Sequence, residues 1–176
     1  MKVLVVVDMQ NDFLDDAVLG NERCRAVVPA IVQKIEKGGY DWIVATRDTH
    51  DENYLQTQEG KNLPVPHCMK GSDGWQVEAS IAAALEKSKV PVTYVDKPTF
   101  GSVKLAGMLS EKHADEVEFV GVCTGICVIS NAMLMKAQEP EAVVTVDASC
   151  CACVTEESHK TALDAMKLCQ IQIENE

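Results

Sequence analysis

Two cysteines four residues apart, Cys123 and Cys127, lie in the stretch GVCTGICV, directly behind an apolar run. A thiol at such a strand-to-helix junction meets the positive end of the helix dipole and free backbone N–H groups, and both favour thiolate. An ammonium at Lys97 would push in the same direction, and a carboxylate at Asp8 could accept the thiol proton. These are the parts of nucleophilic catalysis. The plain alternative is a cysteine that only packs. A zinc pair is disfavoured, because no second ligand pair at suitable spacing accompanies the first.

Asp8 and Lys97 carry their own alternatives. DMQNDF (8–13) puts Asp8 at the end of an otherwise apolar strand, where a carboxylate rarely stands unpaired; it either caps a loop or belongs to a site. In KPTFGS (97–102), Lys97 either snorkels to the surface or turns inward. Phe13 is core or the wall of a substrate slot.

A third group lies in DTHDENYLQTQEGKNLPVPHCMKGSDGW (48–75), a polar segment rich in Gly and Pro and long enough to suggest function. It holds Asp48, His50 and His67. One Asp and two His suit a divalent cation with positions left open for water or substrate. An Asx-turn aspartate beside two surface histidines is the alternative. Cys150, Cys151 and Cys153 make a poor zinc knuckle, since neighbours on an extended segment point to opposite faces. His113 and His159 fall on predicted helix surfaces.

The elements that must position these groups alternate. KVLVVVD (2–8) is a β-branched run of the kind buried on both faces. A helix follows over 22–37, with Pro29 kinking it or marking its true start. Strands are predicted at 41–47, 92–97, 116–122, 141–148 and 170–174. Helices are predicted at 77–87, 104–112, 127–138 and 155–168, the last capped by Thr155. This alternation predicts an α/β fold, three-layer αβα, with a six-stranded mainly parallel sheet. No linker or repeat divides residues 1–176, so a single domain is expected. Sites in such sheets form beyond the carboxyl ends of the strands. Asp8, Asp48, His50, Lys97, Cys123, Cys127 and Asp147 all fall near predicted strand ends.

A net charge of −11 argues against nucleic acid and against anionic membrane surfaces. No apolar stretch approaches the ~20 residues of a spanning helix. No targeting signal shows at the N-terminus, so a cytoplasmic protein is expected, with its eight cysteines mostly reduced.

DMQNDF, KPTFGS and GVCTGICV stand in the order and at the spacings of the cysteine hydrolase superfamily that contains isochorismatases and nicotinamidases, and the resemblance spans nearly the whole chain. It implies the isochorismatase-like hydrolase fold and a catalytic triad of Asp8, Lys97 and Cys127. It also implies a cis peptide between Val122 and Cys123, with the backbone N–H groups of Cys123 and Cys127 as the oxyanion hole. The DxH…PxHCxxG pattern resembles the metal loop of nicotinamidases. That implies Asp48, His50 and His67 as ligands of a divalent ion (Zn, Fe or Mn), with Glu59 the nearest candidate for a fourth. The implied activity is hydrolysis of nicotinamide to nicotinate and ammonia through a cysteine thioester. The alternatives are a carbamoyl amidase or isochorismatase-like hydrolase with another small substrate, and a catalytically silent binding protein. Relatives often form homo-oligomers.

Two departures from the family pattern stand out. Gly125 occupies the place of the Asp in a TDxCV pattern, and Leu63-Pro64-Val65-Pro66 lacks the tryptophan common before the metal-loop His. Phe13, Phe100, Tyr54 and Trp75 are the candidates for the missing ring, Phe13 and Phe100 foremost as substrate-binding residues.

Overall fold

The computed structural model describes residues 1–14 and 17–176. Six strands form one sheet in the order β3-β2-β1-β4-β5-β6, and every pairing is parallel. The strands are β1 (Lys2–Val7), β2 (Trp42–Asp48), β3 (Val92–Lys97), β4 (Glu116–Val122), β5 (Val143–Ala152) and β6 (Gln172–Glu174). The expected fold class is therefore found, with the sheet wholly rather than mainly parallel.

Alternation along the central strand builds two cores. Val3, Val5 and Val7 of β1 face α5 (Val103–Glu111), α6 (Ile129–Gln138) and α7 (Glu156–Leu168), packing with Leu109, Met135 and Met166. Leu4 and Val6 face the other layer, α1 (Glu22–Ala26), α2 (Val28–Lys37) and α4 (Ala79–Glu86), through Ile31, Ile35, Ile81 and Leu85. Five consecutive fully buried residues in β1 satisfy both layers at once, which is why the strand reads as a continuous apolar run. A short helix α3 (Gln58–Asn62) lies in the long loop after β2.

Three expected elements come out differently. The helix predicted over 22–37 is broken at Val27, and Pro29 sits in the first turn of α2, where its missing N–H costs nothing. The helix predicted from residue 127 begins earlier, as a π turn over Thr124–Val128 that runs into α6. β5 runs to Ala152 because it bulges. Phe119 pairs with Val146 but Gly121 pairs with Cys151, so β5 takes five steps while β4 takes two. Cys150 and Cys151 consequently point into opposite cores.

Gly121 has a φ of 118°, and a Cβ there would lie 2.1 Å from the Val7 carbonyl oxygen. Only glycine allows β1 and β4 to approach so closely at the edge where the polar groups emerge. The peptide bond between Val122 and Cys123 is cis.

Candidate active site

Asp8 follows the last residue of β1 with a φ of 50°, a left-handed conformation that Asp tolerates better than most residues. Its Oδ1 accepts a hydrogen bond of 2.6 Å from Thr46 Oγ1, and its backbone N–H donates to the same hydroxyl at 3.2 Å. Lys97 is the last residue of β3 and pairs in register with Asp48, the last of β2. Its fully buried ammonium lies 2.6 Å from Asp8 Oδ2, 3.4 Å from Asp48 Oδ1 and 3.6 Å from Cys127 Sγ, and it donates to the Thr99 carbonyl at 3.1 Å. Lys97 thus turns inward, and three strand ends and the π turn converge on its nitrogen.

The charges are set by burial against pairing. Burial raises the Asp8 pKa above the usual carboxylate value, and Lys97 only partly offsets this. Burial also disfavours the Lys97 charge, but Asp8, Cys127 and Asp48 outweigh it and hold the ammonium firmly protonated. For Cys127, burial and the Asp8 carboxylate push the thiol well up, against the opposing pull of Lys97. The pull toward thiolate expected from the junction and from Lys97 is thus outweighed, and a base such as Asp8 is needed to take the proton. The dipole of the turn and the ammonium are present, but desolvation is the larger effect.

A second cluster abuts the first. Asp48, His50, Glu59 and His67 bring one ligand atom each within 4.8 Å of one another. His50 Nε2 lies 3.0 Å and His67 Nε2 3.3 Å from Asp48 Oδ2, and the two nitrogens lie 3.6 and 3.8 Å from Glu59 Oε1. Metal–ligand bonds of about 2.1 Å give ligand–ligand edges of about 3.0 to 3.4 Å, so Asp48 stands at such an edge from both histidines and Glu59 lies slightly beyond it. His67 Nδ1 contacts the Val65 carbonyl at 2.8 Å, which leaves Nε2 turned toward the cluster. Burial would raise the Asp48 pKa, but hydrogen bonds from His50 and His67 and the Lys97 charge hold it well below the carboxylate range. Glu59, the fourth donor, comes from α3, which Thr57 caps through a hydrogen bond to the Gly60 N–H.

The aromatic candidates separate. Phe13 lies with its ring 5.8 Å from that of His67. Tyr54 is buried against both His50 and His67, at 4.6 and 5.1 Å, and its hydroxyl donates to the Leu63 carbonyl, so it braces the two imidazoles. Trp75 is held by Thr49 and stacked under Arg47. Phe100 is 42% exposed, and its carbonyl accepts from Asn131.

Several positioning residues were not singled out from the sequence. Gln10 clasps the end of β2, donating to the Asp48 carbonyl at 2.8 Å and accepting from the Asp48 N–H at 2.7 Å. Asp12 Oδ2 accepts from the Cys68 N–H at 2.7 Å, beside His67, and its carboxylate fills the space that a side chain at Gly74 would need. Asn131 ties the nucleophile turn to KPTFGS, donating to the Cys127 carbonyl and accepting from the Ser102 N–H. Gln10 and Asp12 were legible only as members of DMQNDF.

Two expectations are corrected. Asp147 is not at a strand end; the bulge leaves it five residues before Ala152, facing the α2 layer, where it pairs with Lys34 and Asn175. His159 is half-buried rather than free on its helix, with Nδ1 2.8 Å from Thr124 Oγ1. At Gly125, a Cβ would lie 3.3 Å from Cys153 Sγ and 3.4 Å from the Ser158 carbonyl oxygen, so a side chain there would press lightly on α7 and on the residue that follows β5.

Comparison with known proteins follows the same lines. The chain is 30% identical over 141 residues to an isochorismatase family protein, PncA, of Bacillus subtilis, covering 75% of this chain and 76% of that one. It is 27% identical over 147 residues to the nicotinamidase/pyrazinamidase of Mycobacterium tuberculosis, covering 75% and 77%. The pyrazinamidase/nicotinamidase structure from Streptococcus mutans superposes with a TM-score of 0.85 at 28% identity, over 98% of this chain and 99% of that one. The isochorismatase domain model matches residues 2–175, and the chain belongs to that family.

Proposed function

We propose that the protein is a nicotinamidase-like amidohydrolase, converting nicotinamide to nicotinate and ammonia. The observation that carries this is the position of Lys97 Nζ, 2.6 Å from Asp8 and 3.6 Å from Cys127, sharing Asp48 at 3.4 Å with the four-donor cluster. A nucleophile centre and a cation centre are thus joined through one carboxylate. The nicotinamidase names of the relatives support the substrate.

Asp48, His50, Glu59 and His67 would hold a divalent ion, which supplies a Lewis-acidic anchor for the ring nitrogen of a pyridine carboxamide. Phe13 stands beside His67 to wall the ring. Asp8 takes the proton from the Cys127 thiol as sulfur attacks the carboxamide carbon. The raised pKa values of thiol and carboxyl suit this transfer: a protonated nucleophile faces a carboxylate made more basic by burial. The N–H groups of Cys123 and Cys127 receive the oxyanion, each such donor being worth about 3 kcal/mol in comparable sites. Asp8 returns the proton to the departing ammonia, and the acyl group remains on sulfur as a thioester. Asp8 then deprotonates a water that cleaves the thioester, and Cys127 regains its proton. Lys97 keeps a positive charge beside Asp8 and the sulfur throughout.

The test is ammonia release from a panel of small amides, run with metal analysis of the purified protein. Nicotinamide should be the best substrate, and activity should be lost on chelation. Preference for an aliphatic or carbamoyl amide, untouched by chelation, would replace this reading with another hydrolase of the family.

A further inference from the structure

Asn131 is buried in the first turn of α6, one helical turn beyond Cys127. Its amide has both hydrogens and its oxygen engaged. Nδ2 donates to the Cys127 carbonyl at 2.8 Å and to the Phe100 carbonyl at 3.1 Å, and Oδ1 accepts from the Ser102 N–H at 3.0 Å. Two carbonyls on one side and an N–H on the other allow only this orientation of the amide. A single side chain thus grips the nucleophile's own backbone and also the strap of residues 98–102 that leads from Lys97 into α5.

The strap is seated directly on α6. A Cβ at Gly101 would lie 2.8 Å from Leu134 Cδ1 and 3.2 Å from Ser130 Cβ. At the far end of the strap, Ser102 caps α5 by accepting from the Leu105 N–H at 3.1 Å. At the near end, the Thr99 carbonyl accepts from the Lys97 ammonium at 3.1 Å. A ring of contacts therefore closes. It runs from the Cys127 carbonyl to Asn131, from Asn131 to Phe100 and Ser102, and back along the chain to Thr99. From there it passes to Lys97 Nζ, which lies 3.6 Å from Cys127 Sγ. The hydrogen bonds of the Asn131 side chain end at Cys127, Phe100 and Ser102, and none reaches the four-donor cluster.

We propose that Asn131 is a positioning residue for the nucleophile: through this ring it holds the Cys127 sulfur at its distance from Lys97 and fixes the direction of the Cys127 N–H, while the cation cluster anchors the substrate separately. The kinetic role rests on the reading given under Proposed function; the mechanical link between turn and strap does not. A reacting atom misplaced by about 1 Å can cost roughly 100-fold in rate. Loss of Asn131 should therefore act on turnover and spare substrate binding.

Ser130 shows what a purely local bond looks like. Its hydroxyl donates to the Ile126 carbonyl at 2.6 Å, four residues back in the same turn, and goes no further. A threonine at position 131 could make the equivalent bond to the Cys127 carbonyl, but its short side chain would not reach the strap. Asn131→Thr thus separates the local bond from the ring.

The test has two arms. Hydrogen exchange, read on the segment 98–103, should be at least about fivefold faster at the Ser102 amide in Asn131→Ala than in the parent, with the amides of β1 unchanged. Equal protection of Ser102 would overturn the link, whatever the enzyme's substrate. In steady-state kinetics with nicotinamide, Asn131→Ala should lower kcat about 10- to 100-fold, with KM within about threefold of the parent and metal content unchanged. Asn131→Thr should lose kcat to a similar degree, and it carries both measurements if the alanine variant does not fold. Full kcat in the threonine variant would show that the local bond suffices and would overturn the ring. A raised KM with unchanged kcat would overturn the positioning role. Absence of amidase activity in the parent would instead count against the catalytic reading, and the exchange rates would still decide the link.

Discussion

Cys127 Sγ stands 3.6 Å from the Lys97 ammonium, and burial and the Asp8 carboxylate nevertheless push its thiol pKa well up. The ammonium already belongs to Asp8, 2.6 Å away, and both partners are fully buried. Lys97 therefore acts on the sulfur as one end of an ion pair whose field is largely spent on the carboxylate. On the proposed mechanism, activation falls to Asp8 as a base. Cys127→Ala should reduce ammonia release by at least about 1,000-fold while circular dichroism and the unfolding midpoint stay near those of the parent. Turnover that survives the substitution would remove Cys127 from the nucleophile's role.

The acid limb of the pH–rate profile should report Asp8. The base works as the carboxylate, and burial raises its pKa, so activity should begin to fall at a higher pH than an ordinary aspartate would give. The Thr46 hydroxyl opposes that rise through its 2.6 Å hydrogen bond. Thr46→Val removes a bond that favours the charged form, and the limb of kcat/KM should move further upward. A limb that moved down, or stayed in place, would show that another group sets it.

For the cation centre, dialysis against a chelator should abolish activity, and readdition of Zn, Fe or Mn should restore it. His50→Ala should purify with less than about a tenth of the parent's metal content. Metal-free His50→Ala protein that hydrolysed nicotinamide at the parent rate would end the role of the cluster.

Asp12 positions His67 without touching the four donors, through the Cys68 N–H at 2.7 Å. Asp12→Ala should weaken metal binding about 10- to 100-fold, as loss of a supporting partner does elsewhere. Asp12→Asn keeps an acceptor oxygen and should restore most of the affinity. Competition with a chromophoric chelator measures both, and equal affinities for parent and alanine variant would refute the role.

Lys34 bridges Glu118 and Asp147 on the far layer, with Tyr40 also donating to Glu118. Lys34→Met leaves two carboxylates uncompensated in a mostly buried place, at a cost of about 3 kcal/mol. Urea unfolding should show that loss while kcat stays unchanged. A midpoint equal to the parent's would mean that solvent screens the pair.

How much was legible in the sequence depended on what each residue contacts. Asp8, Lys97 and Cys127 each follow or end an apolar run, and a parallel sheet delivers such positions to one edge, so their meeting could be expected. Asp48, His50 and His67 were legible because one loop carries all three. Gln10, Asp12, Thr46 and Asn131 act through backbone groups or side chains of segments far along the chain, and no local pattern records such partners. The weight of burial on the Cys127 thiol was not legible, because burial arises only once the sheet, turn and helices have closed around the sulfur. Asp147 was misplaced for a related reason. A bulge in β5 adds residues without changing the apolar pattern, so the apparent strand end was its middle.

The bare Cα of Gly121, set against the Val7 carbonyl, carries a demand on sequence that no chemistry at the site would disclose. A single methyl group there must drive apart the two chain segments that deliver the acid and the sulfur, although it would touch neither. Variation at this position should therefore be as intolerable as variation in the reacting groups themselves, and a catalogue of inactive variants would count a residue with no functional group among the indispensable ones.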